Sequence, residues 1–158
     1  MSPASRALPG SPADVPPRIG FPLPRIGPLD PVESNKESRK TLGQRGERWA
    51  VSYLEQKGYR ILEQNYRHGR GEVDIIAKDG EVYVFVEVKT RVSTEYGAPQ
   101  EAVTKSKQRQ IAYLATRYLY QHGLLSLANC RFDVIAIQRQ EGEETLEHIP
   151  DAFRARRY

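Results

Sequence analysis

The feature that most constrains the fold is a pair of apolar runs, at about residues 72–78 and 81–90, separated by Asp79-Gly80. Asp-Gly between such runs is a strong signal for a two-residue turn joining antiparallel strands. The second run carries valine or phenylalanine on both of its faces, which is typical of a strand in the middle of a sheet. The sequence therefore predicts a hairpin whose second strand is central and buried.

Charged residues interrupt this hairpin at the end away from its turn. With Asp79-Gly80 as the loop, Glu72 is expected opposite Glu87, and Asp74 and Glu87 become diagonal neighbours about 7–8 Å apart. Strand alternation then places both of these acids, Glu72 and Lys89 on one face. Because buried charge is costly unless it is paired or bound to a cation, the pattern predicts either a cation site or a structural salt-bridge cluster.

Composition divides the chain into an extension and one domain. Nine of the eleven prolines lie within residues 1–31, which predicts a disordered proline-rich extension over 1–40 and a folded domain over 41–158. The sequence shows neither a signal-peptide pattern nor an apolar run long enough to span a membrane, so a cytoplasmic protein without a membrane partner is expected. The net charge of +4 permits nucleic-acid binding without demonstrating it. A lone Cys130 excludes an intramolecular disulfide and a cysteine metal cluster.

Hydrophobic periodicity predicts two helices around the strands. A first helix is expected over about 41–57, with a capping box at Thr41 to Gln44, a C-terminal Gly58 and Glu47 on its buried face. The other predicted elements are strands at 59–66 and 131–138, a loop at 91–99, a helix at 100–121 and a short last element around 146–149. The inward face of the second helix is predicted to consist of Ile111, Leu114, Ala115, Tyr118 and Leu119. This order is α-β-β-β-α-β, an α/β fold with a mixed central sheet flanked by helices.

Several sequence blocks, taken in order, resemble one family. They are GERWAVSYLEQKGYRILEQNYR, GEVDIIAKDG, VFVEVKTR, YGAPQEAV, RFDVIAI and the closing HIPDAF. Over about residues 41–153 the chain is similar to the YraN family of endonuclease-like proteins, which implies a restriction-endonuclease-like core with a PD-(D/E)xK motif. Val73 stands where that motif has proline. The arrangement of acids and lysine also resembles archaeal-type Holliday-junction resolvases.

The resemblance implies roles for particular residues. It makes Asp74 and Glu87 ligands of Mg²⁺ or Mn²⁺, helped by the Val88 carbonyl and by Glu47, and hard cations do prefer such oxygen ligands. It makes Lys89 the residue that orients the attacking water or stabilises charge on the phosphate. Contacts to nucleic acid are assigned to Arg48, Arg91, Lys105, Lys107, Gln108 and Arg109.

The leading hypothesis is a metal-dependent endonuclease that hydrolyses DNA, with branched or repair intermediates as candidate substrates. A non-catalytic nucleic-acid-binding adaptor and an RNA-processing nuclease on the same fold are the alternatives. Nucleic acid is the expected partner, and the resemblance to resolvases allows a homodimer. Lys105 and Lys107 also fit an ordinary solvated helix face. A structural role is expected for Glu72 and Asp133, and solvent exposure for the three histidines, which are His68, His122 and His148.

Overall fold

A computed structural model of the chain describes residues 39–91, 103–140 and 143–154. The predicted extension over 1–40 lies almost wholly outside these residues, as does most of the loop at 91–99. The described elements are α1 (Arg39–Gln56), β1 (Arg60–His68), β2 (Gly71–Asp79), β3 (Val82–Arg91), α2 (Lys105–Gln121), β4 (Cys130–Gln140) and β5 (Glu143–Ile149). No helix within the described ranges is long and apolar enough to cross a membrane.

The strands form one mixed sheet in the order β1-β2-β3-β4-β5. The pairs β1–β2, β2–β3 and β4–β5 are antiparallel, and β3–β4 is parallel across the connection that contains α2. The predicted α-β-β-β-α-β order is thus confirmed, with β5 as the short last element. This is the α/β fold with a mixed central sheet that the sequence predicted.

Each face of the sheet packs against one helix. Alternate residues of β3 and β4 go to opposite sides, because successive strand side chains point in opposite directions. On one side the core contains Ala50 and Leu54 of α1, with Ile75, Ala77, Val84, Val86, Ile135 and Ile137. On the other side the core contains Ile111, Leu114, Ala115, Tyr118 and Leu119 of α2, with Val73, Ile76, Phe85 and Val134. The predicted inward face of α2 is confirmed, and β3 is the buried central strand that the sequence indicated.

The hairpin register differs from the prediction by two residues. Asp79 pairs with Val82, so the loop is Gly80-Glu81 and not Asp79-Gly80. Gly80 has φ +56°, and a glycine at the first loop position is what a type II′ turn requires. The expected diagonal relation of Asp74 and Glu87, and the opposition of Glu72 to Glu87, are therefore wrong.

The start of α1 also differs from the prediction, since the helix begins at Arg39 and Thr41 lies inside it. The proposed capping box at Thr41 is therefore wrong. The expected end is confirmed, because Gly58 follows the helix with φ +87°, a left-handed conformation that glycine adopts at little cost.

A buried polar cluster joins β4 to β5. Asp133 is fully buried and accepts hydrogen bonds from Arg131 Nε at 3.1 Å and the Asp151 amide at 3.0 Å, and its Oδ2 lies 2.9 Å from His148 Nε2. Burial alone would raise the pKa of Asp133, but these hydrogen bonds and the Arg131 charge hold it below its ordinary value. Asp133 thus has the structural role expected of it. The expectation that His148 is exposed is wrong, since its side chain is only 1% exposed.

Candidate active site

The candidate site lies where β2 begins and β3 ends, at the point where the hairpin pairing stops. The last cross-strand pair joins Ile75 to Val86, so the next positions bring Asp74 opposite Glu87. There Asp74 Oδ2 accepts a hydrogen bond of 2.7 Å from the Val88 amide. The Asp74 side chain therefore takes the place of a backbone acceptor, and the two acids are direct neighbours across the strands. The role predicted for Val88 is through its carbonyl, whereas the contact in the structure comes from its amide.

Asn65 of β1 connects this point to α1. It stands opposite Asp74 in the β1–β2 register and has φ +54°, a left-handed conformation that asparagine tolerates. With its amide nitrogen turned toward the neighbouring acids, Asn65 donates to Glu72 Oε1 at 2.8 Å and to Glu47 Oε2 at 3.2 Å. The sequence interpretation missed this residue. The available signal was a small amide residue within a strand of imperfect alternation.

Gly46 allows Glu47 to reach the site. A Cβ at Gly46 would collide with Thr90 Oγ1 on β3 and would lie 3.3 Å from Ile137 Cδ1 on β4. Only a residue without a side chain permits α1 to approach the sheet this closely. The next residue, Glu47, is consequently held beside Asn65 of β1.

Glu87 is the most deeply buried acid of the site, with its side chain only 2% exposed. Lys89 Nζ lies 2.6 Å from Glu87 Oε1, and Lys107 Nζ lies 3.1 Å from Oε2. The Lys107 contact is close, but it is not aligned as a hydrogen bond, and Oε2 is left without a hydrogen-bond donor. Lys107 instead donates to the backbone carbonyl of Glu72 at 3.1 Å. Glu87 Oε2 is therefore met by the charge of Lys107 but by no aligned hydrogen bond.

The electrostatics of Asp74 differ from those of an ordinary ion pair. Burial first, then the negative charge of Glu87 and to a smaller extent that of Glu47, raise the pKa of Asp74 to about 7. The Val88 amide and the Lys107 charge act in the opposite direction without cancelling the rise. The two lysines lie on Glu87, and the positive charge that reaches Asp74 does not offset its burial beside a second acid.

The remaining predicted residues lie around this core. Arg48 on α1 and Lys105 and Arg109 on the first turns of α2 are exposed, and Arg91 is half-buried at the end of β3. Lys107 is turned inward, with its side chain 25% exposed, so the solvated-face alternative does not describe it.

Gln108 makes local contacts at the start of α2. Its amide donates to the Val103 carbonyl at 2.9 Å, and its Oε1 accepts from Lys105 at 3.4 Å. Glu72, which was expected to be structural, forms an ion pair of 3.0 Å with Arg67 of β1.

The carboxylates of the site could supply some of the ligands of a hard divalent cation, but not all of them. Asp74 and Glu87 supply two carboxylates, and Glu87 Oε2 accepts no aligned hydrogen bond. Within the described ranges, no three Asp, Glu, His or Cys side chains are grouped closely enough to hold a metal ion by themselves. Mg²⁺ is commonly held by one or two carboxylates, with waters and substrate phosphates as its other ligands. The residues present therefore fit a cation whose ligand shell is completed by water and substrate.

Comparison with known proteins gives a family and several close relatives. The model described as "Uncharacterised protein family UPF0102" matches residues 46–137. A UPF0102 protein of Geobacter metallireducens is 53% identical over 114 residues, which cover 72% of this chain and 93% of the relative. A UPF0102 protein of Anaeromyxobacter dehalogenans is 45% identical over 117 residues, which cover 74% of this chain and 87% of the relative.

Two solved structures show a distant likeness. The Holliday junction resolvase Hjc of Archaeoglobus fulgidus superposes with a TM-score of 0.37 and 16% identity, covering 69% of this chain and 77% of that one. The Pyrococcus furiosus SfsA structure in complex with Ca²⁺ gives a TM-score of 0.31 and 14% identity, covering 70% and 61%. TM-scores and identities this low carry no information on the function of this chain.

Proposed function

Given that the chain belongs to the uncharacterised protein family UPF0102, which is the YraN family that its sequence blocks resemble, we propose that it is a divalent-metal-dependent endonuclease that hydrolyses phosphodiester bonds in DNA. The observation that carries the proposal is the placement of Asp74 opposite the buried Glu87, with Lys89 two residues further along β3. Two adjoining carboxylates and a lysine supply what hydrolysis of a phosphodiester requires, which is a cation site and a cationic group beside it.

The charge balance favours this proposal over a purely structural salt-bridge cluster. In such a cluster the partner cations would lower the pKa of both acids. Here the pKa of Asp74 is raised to about 7, and Glu87 Oε2 has no hydrogen-bond donor. A buried carboxyl held at a raised pKa beside a second acid lowers the stability of the fold when it is ionised, so it is expected at a functional site.

Asp74 and Glu87 would hold Mg²⁺ or Mn²⁺, and Glu47 would contribute through water or directly. When bound, the metal would polarise the scissile phosphate and lower the pKa of a coordinated water. The Val88 amide fixes the Asp74 carboxylate, and Asn65 fixes Glu47, so the acids are oriented before any ligand arrives.

Lys89 would stabilise the negative charge that develops on the phosphate. Its side chain is 35% exposed, so its ammonium group lies between the buried Glu87 and solvent, where a phosphate can approach. Lys105 and Arg109 are exposed in the first turns of α2, and Arg48 is exposed in the middle of α1, next to Glu47; all three would contact the phosphate backbone without reading sequence.

A cleavage assay with Mg²⁺ or Mn²⁺ on duplex, single-stranded, flap and four-way-junction DNA, beside matched RNAs, tests the proposal. We expect metal-dependent cleavage of at least one DNA by the wild-type protein and by Lys57→Ala, in which an exposed lysine after α1 is removed. Cleavage by Asp74→Asn should fall at least about 100-fold. Failure of the wild-type protein to cut any substrate with either metal overturns the proposal.

A nucleic-acid-binding module that takes up no metal is the second candidate, and the two lysines beside Glu87 favour it. Those ammonium groups could satisfy Glu87 permanently, leaving Asp74 to be protonated. Calorimetric titration with Mn²⁺ at pH 8 separates the two functions. Uptake of a divalent cation that is lost in Asp74→Asn supports the nuclease, whereas DNA binding without cation uptake supports the module.

A further inference from the structure

Lys107 reaches the buried acids from a different element than Lys89 does. Lys89 lies on β3, two residues from Glu87, whereas Lys107 lies in the first turn of α2. Its ammonium group is 3.1 Å from Glu87 Oε2 and 3.1 Å from the carbonyl oxygen of Glu72. It therefore contacts one carboxylate and one backbone oxygen, which are ligand types that a hard cation prefers.

The position of Lys107 at the start of α2 is electrostatically unfavourable, which makes its contact with Glu87 easier to break. The first turn of α2 contains no acidic residue, and the positive end of the helix dipole disfavours a lysine there. Lys107 is held in place by the negative charge of the site, although its ammonium makes no aligned hydrogen bond to Oε2. The side chain is long and flexible, so it can move without any change in the pairing of β2 and β3.

Lys107 and a metal ion cannot share Glu87 Oε2 at low energy. A Mg²⁺ ion sits about 2.1 Å from a ligand oxygen, so with the ammonium 3.1 Å from the same oxygen the two cations would be at most about 5 Å apart. At that distance, in a largely buried site, repulsion between like charges is strong. Binding of one cation therefore opposes binding of the other.

We propose that Lys107 is an internal counter-ion, which occupies the cation position on Glu87 in the metal-free protein and is exchanged for a divalent cation. This inference rests on the proposed function, because it takes the Asp74–Glu87 pair to be a metal site. The released ammonium group would face the solvent beside the exposed Lys105 and Arg109, where a nucleic-acid phosphate can bind it. Phosphate binding and metal binding would then favour each other, since both ligands bind the conformation in which the Lys107 side chain has moved away from Glu87.

Calorimetric titration with Mn²⁺ at pH 8, without nucleic acid, tests the exchange. Lys107→Met should bind Mn²⁺ on the order of tenfold more tightly than the wild-type protein, because a competing charge is removed. Lys57→Met removes the same charge from an exposed position and should match the wild-type affinity. Equal or weaker binding by Lys107→Met overturns the proposal while leaving the wild-type metal site intact. Absence of binding by all three proteins overturns the metal site as well.

Lysine-selective NMR of the wild-type protein gives a second measurement that does not depend on folding of the variant. Addition of Mg²⁺ should shift the Lys107 side-chain signal in step with metal binding, and the Lys57 signal should stay in place. A Lys107 signal that does not move at saturating Mg²⁺ contradicts the exchange.

Discussion

Replacing Asp74 by asparagine should stabilise the metal-free protein. Asparagine keeps an oxygen that can accept the 2.7 Å hydrogen bond from the Val88 amide, and it removes the negative charge beside Glu87. A rise in the pKa of Asp74 from 3.8 to about 7 corresponds to about 4 kcal/mol of unfavourable free energy when the carboxylate is ionised. This is an upper limit, and we expect Asp74→Asn to gain at least about 1 kcal/mol in free energy of unfolding at pH 8.

The gain should depend on pH in a defined direction. Because the pKa of Asp74 is higher in the folded state than in the unfolded state, the folded state binds more protons between pH 4 and 7. The wild-type protein therefore loses stability as pH rises through that window. Below pH 4 the carboxyl is protonated in both states, so the advantage of Asp74→Asn should vanish there and reach its full size above pH 7.

Urea unfolding at intervals from pH 4 to 9, with EDTA present, measures this difference. The control is Asp151→Asn, which removes a partly exposed carboxylate whose backbone amide, not its side chain, contacts the buried cluster. If Asp74→Asn is no more stable than the wild-type protein at pH 8, or if its advantage is the same at pH 4, the two acids are not in unfavourable contact. The Asp74–Glu87 pair would then lack the unfavourable charge contact that favours a cation there.

Two further predictions concern the framework of the site. Gly46→Ala should lower the free energy of unfolding by about 1–3 kcal/mol, because its Cβ would collide with Thr90 Oγ1. Gly43→Ala in the same helix is the control and should raise the free energy of unfolding by up to about 1 kcal/mol, because nothing lies within 4 Å of that position. A loss at both positions in urea unfolding would contradict the close approach of α1. Asp133→Asn should cost about 3–5 kcal/mol at pH 7, because Arg131 loses a buried partner. Since the pKa of Asp133 is lowered in the folded state, the difference from the wild-type protein should shrink as pH falls below 4, and a constant difference would contradict the charged form.

The layered fold was accessible from the sequence because it depends on patterns within single elements. The alternation of β3 and the inward face of α2 are set by residues two, three or four apart, and both are confirmed. The hairpin register was not accessible in the same way. Registers that differ by two residues put the same side chains on the same faces, so hydrophobic pattern does not distinguish them. The register is set by the turn, which is Gly80-Glu81 in the structure. The Asp-Gly signal predicts Asp79-Gly80 instead.

The parts of the site that were missed depend on contacts between distant elements. Lys107 reaches Glu87 from the start of α2, and Asn65 reaches Glu47 across from β1. His148 is buried because the β4–β5 pairing brings it within 2.9 Å of Asp133. Spacing along the chain carries no information on these distances. The acids and the lysine of the hairpin could be grouped from the sequence because only one turn separates them.

The central claim is that the Asp74–Glu87–Lys89 group hydrolyses nucleic acid, and Lys89→Ala tests it most directly. Cleavage should be measured with Mn²⁺ on the substrate that the wild-type protein cuts best, together with binding of the same DNA in Ca²⁺. We expect cleavage to fall at least about 100-fold with DNA affinity nearly unchanged, because Lys89 would act on charge that develops during reaction. Undiminished cleavage by Lys89→Ala would contradict this role of Lys89. A loss of cleavage matched by an equal loss of DNA affinity would contradict it as well.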